Sequence, residues 1–105
     1  MMGANLRKEA AENEITLPVE FGLDQNYPNP FNPATKINFQ LPENNYVSLK
    51  IYDILGNLVT TLIDQETEAG YYTIEWNAGN LSSGVYFYTF KSGSFVSTKK
   101  LILLK

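Results

Sequence analysis

The chain contains no cysteine and no histidine among its 105 residues. Without cysteine it can form no disulfide bond, no thiolate metal site and no cysteine nucleophile. Without histidine it lacks the side chain that most often acts as a general base near neutral pH and most often binds transition metals. Its serines and threonines have no histidine to activate them, and no glycine-rich segment matches a phosphate-binding loop. We expect no catalytic residue, no cofactor and no metal site, and we predict that the chain is not an enzyme.

Long apolar runs and an excess of positive charge are also absent. The longest uninterrupted aliphatic run covers residues 101–104, whereas a membrane-spanning helix needs about 20 apolar residues. Eleven acidic residues against eight basic ones give a net charge of −3, which is the wrong sign for neutralising the phosphates of a nucleic acid. We therefore predict neither a transmembrane segment nor a nucleic-acid partner.

Residues 1–18 differ in composition from the rest of the chain. They have no apolar stretch between a basic end and a cleavage site, so they do not form a secretory signal peptide. Their charged residues and alanines offer almost no apolar face on which a helix could dock. We interpret residues 1–18 as a linker, poorly ordered or weakly helical, that begins with an expression-vector remnant, and residues 19–105 as one domain. The chain is then expected to be the tail of a longer protein.

From Ile15 onward, short alternations of apolar and polar residues are separated by Gly, Pro, Asn and Asp, which is typical of an all-β sandwich or barrel. Strands are predicted over residues 35–41, 46–53, 58–63, 71–77, 85–90 and 94–104. The alternation turns three sets of side chains inward, which are Ile37, Phe39 and Leu41, then Val47, Leu49 and Ile51, and then Tyr72, Ile74 and Trp76. Trp76 is predicted to be the centre of the core, and the strand over residues 85–90, apolar on both faces, is predicted to be central.

Three connections follow from local composition. Residues 54–57 predict a hairpin turn in which Gly56 takes a positive φ. Residues 64–70 predict a polar connection, and residues 91–93 predict a second hairpin turn. These connections join the predicted strands into an antiparallel arrangement.

Residues 26–35 form a proline-rich segment with three prolines. Each proline fixes φ and removes a backbone donor, so the segment cannot be a central strand. It is predicted to be an extended turn capped by the side chains of Asn29 and Asn32, with Phe31 as a plug at one end of the sandwich. These residues are compatible with a rigid lid that orders the first strand and with a surface that contacts another protein.

The proline-rich segment opens a series of motifs that is specific enough to identify a family. After the sequence NYPNPFNPAT come, in order, Ile51-Tyr52-Asp53, Gly56, Ala69-Gly70, Trp76, Ser83-Gly84-Val85-Tyr86 and Lys99-Lys100-Leu101. In this order and spacing, residues 21–105 resemble the type A C-terminal sorting domain of the type IX (Por) secretion system. They are also similar to the immunoglobulin-like domain of flagellar hook-capping proteins.

The resemblance implies an immunoglobulin-like β-sandwich of about seven antiparallel strands at the end of a larger cargo protein. The cargo would cross the inner membrane by a separate signal, pass through the periplasm, and reach the cell surface or the extracellular space. In this family the domain is recognised at the outer membrane by the translocon and a shuttle protein. It is often removed by a sortase-like surface protease when the cargo is attached to surface lipopolysaccharide or released.

Two sets of residues carry over from the motifs of the family. The resemblance implies that the terminal segment is the recognition element, and its candidate residues are Lys99, Lys100, Leu101, Ile102, Leu103, Leu104 and Lys105. The other motif residues are expected to act mainly in the structure, and they are Asn29, Pro30, Phe31, Asn32, Pro33, Asp53, Gly56, Gly70, Trp76, Gly84, Val85 and Tyr86. From the residues alone, the terminal strand is either an edge offered to a partner or a final strand that closes the sheet, with lysines that prevent aggregation.

Other functions stay open at the level of sequence. The chain can be a passive structural or adhesive module of a secreted protein, with weak carbohydrate affinity if its tyrosines and phenylalanines form a platform rather than a core. The hook-capping class needs a flagellar assembly sequence that these residues lack. Asp64, Glu66 and Glu68 alternate as Ca²⁺ ligands can, but without the glycine and distal glutamate of an EF-hand loop they favour a solvated loop.

Overall fold

The computed structural model describes residues 4–9 and 17–105. Within these residues the chain forms two antiparallel four-stranded sheets and no helix, and hence no helix that could cross a membrane. The strands are β1 (Asn5–Lys8), β2 (Gly22–Leu23), β3 (Ala34–Leu41), β4 (Asn45–Asp53), β5 (Leu58–Thr67), β6 (Gly70–Asn77), β7 (Gly84–Ser92) and β8 (Phe95–Leu103). The predicted all-β sandwich is confirmed, with eight strands in the described residues against the prediction of about seven.

Several strands that are neighbours in a sheet are not consecutive in the sequence. One sheet has the order β1-β6-β3-β2 and the other has the order β5-β4-β7-β8. Chain connections that pass between the layers in this way are the Greek-key pattern of immunoglobulin-like sandwiches. β7 lies between β4 and β8, which confirms its predicted central place, and β8 is the edge strand of its sheet.

Alternation along the strands builds one apolar core between the two sheets. The three inward-facing sets predicted on β3, β4 and β6 are all buried, with exposed fractions from 0% to 6%. Trp76 is the largest of the fully buried side chains, which confirms its predicted place at the centre of the core. Because burying one large apolar side chain contributes about 1.5–3 kcal/mol, this layer is the main source of stability.

Aromatic side chains continue this core towards one end of the sandwich. Phe39 stacks on Tyr72 with ring centroids 5.2 Å apart, and it lies 5.0 Å from Phe90. Phe95, at the start of β8, packs 5.8 Å from Phe90 and 5.5 Å from Phe21. These rings pack against one another and extend the core towards this end of the sandwich.

The linker prediction for residues 1–18 is corrected at Asn5–Lys8, which form β1. This strand pairs with β6 through residues 72–75, Leu6 packs against the core, and the Lys8 ammonium lies 3.3 Å from the Glu68 carboxylate. β6 would otherwise present a row of unpaired backbone groups, so tertiary pairing outweighs the weak local preference of these residues. Residues 1–3 and 10–16, which make up most of the remaining predicted linker, lie outside the described residues.

Two predicted connections are shorter than expected. β5 continues through the predicted polar connection to Thr67 and pairs there with the start of β4. The second hairpin turn is reduced to Gly93 and Ser94, because β7 continues to Ser92. In both places the backbone pairing of a long hairpin carries the strands through polar residues whose composition alone signals a loop.

Two of the three acidic residues that alternate at the end of β5 contact neighbouring side chains. Asp64 accepts a hydrogen bond from the Tyr46 hydroxyl at 2.5 Å, and Glu68 faces Lys8. Within residues 4–9 and 17–105, no group of three or more acidic side chains is close enough to hold a metal ion.

Candidate functional site

The proline-rich segment lies along the outer edge of β8, next to the last residues of the chain. The Phe31 N–H donates to the Ile102 carbonyl at 2.9 Å, and the Leu104 N–H donates to the Phe31 carbonyl at 2.9 Å. Phe31 and Leu103 thereby form a short parallel bridge. The two motifs that stand furthest apart in the sequence therefore form one site.

Side-chain amides extend this junction along the strand. The Ile102 N–H donates to the Asn29 side-chain oxygen at 2.9 Å, across 73 residues of sequence. The Gln25 side-chain amide donates to the Lys100 carbonyl at 2.7 Å. From the Lys100 carbonyl to the end of β8, the outward-facing backbone groups are thus bonded either to the proline-rich segment or to Gln25, which precedes the segment.

Phe31 closes this end of the sandwich. Its side chain is 2% exposed, and its ring centroid lies 5.9 Å from that of Trp76. The prediction that Phe31 acts as a plug is confirmed. Because its backbone is bonded to Ile102 and Leu104 while its ring lies on Trp76, Phe31 connects the end of the chain to the centre of the core.

Asn26 caps the turn inside the proline-rich segment. It is 2% exposed, and its side-chain amide donates to the Thr35 hydroxyl at 3.0 Å and to the Pro28 carbonyl at 3.2 Å. Asn32, predicted as a cap, is exposed and forms no side-chain hydrogen bond within the described residues. Asn26 therefore takes the role predicted for Asn32, whereas Asn29, the other predicted cap, bonds to β8. No local pattern singles out Asn26, because its partners are defined only by the folded turn.

A tyrosine of the central strand holds the chain where the proline-rich segment begins. The buried Tyr88 hydroxyl donates to the Asp24 carbonyl at 2.8 Å and accepts from the Asn26 N–H at 2.8 Å. Burial raises the pKa of Tyr88 from its ordinary value of 10.0 to about 12, because the charged phenolate would lose its solvation. At neutral pH Tyr88 is therefore a neutral anchor between the two sheets.

The side chains of the candidate recognition residues are divided between core and surface. Leu101 and Leu103 are fully buried, and Ile102 and Lys99 are half-buried. The exposed members are Lys100, Leu104 and Lys105, with Leu104 at 56%. The aliphatic run thus closes the sandwich, and the part that another protein can contact consists of its backbone edge, its lysines and Leu104.

The last residue is fixed to the turn between β6 and β7. The Lys105 ammonium donates to the carbonyls of Gly79 and Leu81 at 2.7 and 2.9 Å. Its backbone N–H donates to the Ser83 hydroxyl at 2.9 Å. Tyr86, on β7, bonds the same turn through its hydroxyl, which donates to the Ser82 carbonyl at 2.7 Å. The end of the chain is therefore part of the folded domain.

The motif residues of the β4–β5 hairpin act in its turn. The Asp53 carboxylate accepts from the N–H groups of Leu55 and Asn57 at 3.0 and 2.9 Å. Gly56 has a φ of 89°, which confirms the predicted positive φ and explains why glycine is needed there. Leu55 at this turn is 82% exposed.

The remaining motif residues start the strands that follow. Gly70 and Gly84 are the first residues of β6 and β7, and Val85 follows Gly84 on β7. Pro33 accepts a hydrogen bond from the Ala78 N–H at 2.8 Å through its carbonyl, which connects the proline-rich segment to the end of β6.

Charge is distributed unevenly along the chain. Residues 1–75 contain all eleven acidic residues and four of the eight basic ones, a net charge of −7. Residues 76–105 contain four lysines and no acidic side chain, a net charge of +4. The β7–β8 hairpin is therefore a basic element on an otherwise acidic domain.

Comparison with known protein families identifies the region that contains this site. A family model described as a secretion system C-terminal sorting domain matches residues 25–104. The match covers the proline-rich segment, every strand from β3 to β8 and all of the terminal segment except Lys105. No curated protein matches the chain.

Proposed function

The chain belongs to the secretion system C-terminal sorting domain family, and on this premise we propose that β8 and the proline-rich segment bonded to it are read together by the translocon of the type IX system. Members of this family are sorting signals, so the chain directs an upstream cargo to the cell surface or the extracellular space. The observation that carries the proposal is the junction itself, in which Asn29 and Phe31 bond to Ile102 and Leu104. The signal is then a folded surface, not a linear peptide.

The proposed partners are those of the type IX system. The translocon recognises the junction, a shuttle protein carries the exported domain, and a sortase-like surface protease removes it when the cargo is attached. In this proposal the domain contributes recognition and no chemistry. The exposed Lys100, Leu104 and Lys105 support it, because they place contact groups at the surface of the junction.

The proposal is tested by secretion of a fluorescent cargo that carries a periplasmic signal and is fused to residues 1–105, in a bacterium with an active type IX system. A second fusion lacks Leu104 and Lys105, which leaves β8 complete because the strand ends at Leu103. A third carries Lys36→Ala, a change of an exposed lysine on the other sheet. We expect the parent and Lys36→Ala fusions to reach the medium or the cell surface, and the shortened fusion to remain in the periplasm.

Stability measurements separate recognition from folding. The deletion removes four hydrogen bonds of about 0.5–1.5 kcal/mol each, which a domain of ordinary stability can lose and still fold. Thermal unfolding of the purified shortened domain should therefore show one cooperative transition at a lower temperature. If the parent fusion also stays in the periplasm, the sorting function fails and a passive structural module becomes the better explanation.

A further inference from the structure

The outer edge of β8 is covered along only half of its length. The proline-rich segment and Gln25 bond the Lys100 carbonyl, both backbone groups of Ile102 and the Leu104 N–H. Nearer the start of the strand, the described residues form no backbone hydrogen bond to the outer edge. The strand thus has a closed half and an open half.

The register shows which groups the open half presents. In an antiparallel ladder, residues alternate between bonding to the neighbouring strand and pointing away from it. The backbone N–H and C=O groups of Ile102 point away from β7. By the same alternation, the N–H and C=O groups of Val96 and Thr98 and the N–H of Lys100 also point away from β7. The Thr98 hydroxyl lies 2.8 Å from that of Thr89 on β7, as expected for a pair that does not exchange backbone bonds. Five backbone groups are therefore available to another strand.

The open half is also basic. Lys91 on β7 and Lys99 and Lys100 on β8 lie beside it, and no ion pair involves them in the part of the chain that the structure describes. No acidic residue occurs anywhere in residues 76–105. A strand that approaches this edge therefore meets lysines without an ion-pair partner in the described residues, along with unpaired backbone groups.

We propose that residues 95–100 of β8 are a strand-addition site for an extended, acidic polypeptide segment of the secretion machinery. The inference rests on the proposed sorting function and identifies the chemistry of the partner. A row of unpaired backbone groups forms hydrogen bonds with another extended polypeptide. This mode of recognition is known as β-strand addition. The charge around the edge selects an acidic segment.

A second copy of this chain fits the open edge less well. Pairing β8 with β8 of another copy would bring Lys91, Lys99 and Lys100 close to the same lysines, and like charges across a pair of strands are destabilising. The acidic outer edge of β5 has the right charge, but its pairing with β4 is interrupted by register shifts at two places. Such irregularities twist an edge away from regular pairing.

The test removes one outward N–H without breaking the sheet. Thr98→Pro deletes an N–H that does not bond to β7, and proline is tolerated on edge strands at such positions. Glu66→Pro is the matched control, since the register places the Glu66 N–H on the outer side of β5, at the opposite edge of the same sheet. Lys100→Glu and Lys36→Glu form a second pair that reverses one charge at the open edge and one on the other sheet.

Secretion of the fluorescent cargo and thermal unfolding of the purified domain are measured for all four variants. We expect Thr98→Pro and Lys100→Glu to fold and to be secreted about tenfold less than the parent, since one lost hydrogen bond or ion pair of about 1.4 kcal/mol gives a tenfold loss. Glu66→Pro and Lys36→Glu should be secreted like the parent. If Thr98→Pro does not fold, Val96→Pro replaces it, because the Val96 N–H also points outward.

Each other result overturns the inference in a distinct way. Normal secretion of Thr98→Pro would show that the edge is not used, although the sorting function would stand. Normal secretion of Lys100→Glu would exclude an acidic partner. A loss for Glu66→Pro as large as that for Thr98→Pro, with concentration-dependent assembly of the purified domain, would identify β5 of a second copy as the occupant. Retention of the parent fusion would remove the sorting function and this inference with it.

Discussion

At the residue scale, the Tyr88 hydroxyl ties the beginning of the proline-rich segment to the second sheet. It donates to Asp24 and accepts from Asn26, so one side chain satisfies two backbone groups of an irregular segment. Buried backbone groups without a partner are costly, and this bond is what allows the segment to lie against the core.

Replacing Tyr88 by phenylalanine tests this role. We expect Tyr88→Phe to lower the free energy of unfolding by about 1–3 kcal/mol at neutral pH, because it leaves the Asn26 N–H and the Asp24 carbonyl without their partner. Urea unfolding of the purified domain measures the difference. A loss below this range would show that water replaces the hydroxyl.

The pKa of Tyr88 adds a dependence on pH. Because folding raises this pKa from 10.0 to about 12, the native state holds the proton more tightly than the unfolded state does. This contribution to the free energy of unfolding is present in full below pH 10.0, the pKa of tyrosine in the unfolded chain. It is lost as the pH rises towards about 12, the pKa in the folded state. The stability difference between the parent and Tyr88→Phe should therefore shrink over this window. A difference that stays constant would contradict the assignment.

Phe31 is the second residue whose role is specific enough to test. We expect Phe31→Ala to lower the free energy of unfolding by about 3–5 kcal/mol, because it leaves a cavity beside Trp76. Phe31→Leu, which keeps most of the volume, should lose less. Urea unfolding followed by fluorescence of Trp76, the single tryptophan, measures both. Equal losses for the two variants would show that the volume of the plug is not what matters.

At the scale of elements, β8 and the proline-rich segment depend on each other. β8 receives hydrogen bonds on its outer edge from the segment, and the segment, whose prolines cannot donate to a ladder, is held by that same edge. The sequence left two alternatives for the terminal strand, an edge offered to a partner or a final strand that closes the sheet. These alternatives apply to different parts of the strand. Its closed half seals the sandwich, and its open half is the part that we propose binds a partner.

The β4–β5 turn provides an independent test of an element. Asp53→Ala is expected to lower the free energy of unfolding by about 1–2 kcal/mol, because two backbone N–H groups of the turn lose their acceptor. Asn57→Ala is the control, since the Asn57 side chain makes only a weak contact of 3.5 Å with Asp53. Thermal unfolding of the purified domain should separate the two variants. Similar losses for both would mean that the Asp53 carboxylate does not hold the turn.

At the scale of the whole molecule, the site exists only when the complete sandwich has formed. Asn29 and Ile102 are 73 residues apart, and the last residue bonds the turn between β6 and β7. Closing the chain between such distant residues costs conformational entropy that the rest of the sandwich must offset. Under the proposed function, the translocon would thereby distinguish a finished domain from an incomplete one.

Removing residues 1–16 tests where the domain begins. β1 lies at the edge of its sheet and contributes one partly buried apolar side chain, that of Leu6, so we expect a loss of about 1–2 kcal/mol in the free energy of unfolding. The shortened domain should remain folded, and a cargo fused to it should be secreted like the parent. Failure to fold would place β1 within the essential domain and move its boundary.

Much of the site could be identified from sequence, but not its assembly. The terminal segment, Phe31 and the Asp53 turn stand out because glycine, proline and apolar alternation have local meaning. The contacts of Asn26, Gln25 and Ser83 were not predicted, although Asn26 and Ser83 belong to the family motifs, because the partner of a polar side chain cannot be read locally when it lies far away in the sequence. The linker prediction failed at Asn5–Lys8 for a related reason, since that strand exists only because β6 offers it an edge.

The sequence by itself determined the six strands from β3 to β8, their inward-facing side chains and the family, because a two-residue period and turn residues act within a few positions along the chain. Only the tertiary structure decided that the proline-rich segment would cover one half of β8 and leave the other half open. That outcome depends on how two sheets bring residues 25–31 beside residues 100–104, and pairing across such a distance is selected by the packing and hydrogen bonding of the whole sandwich.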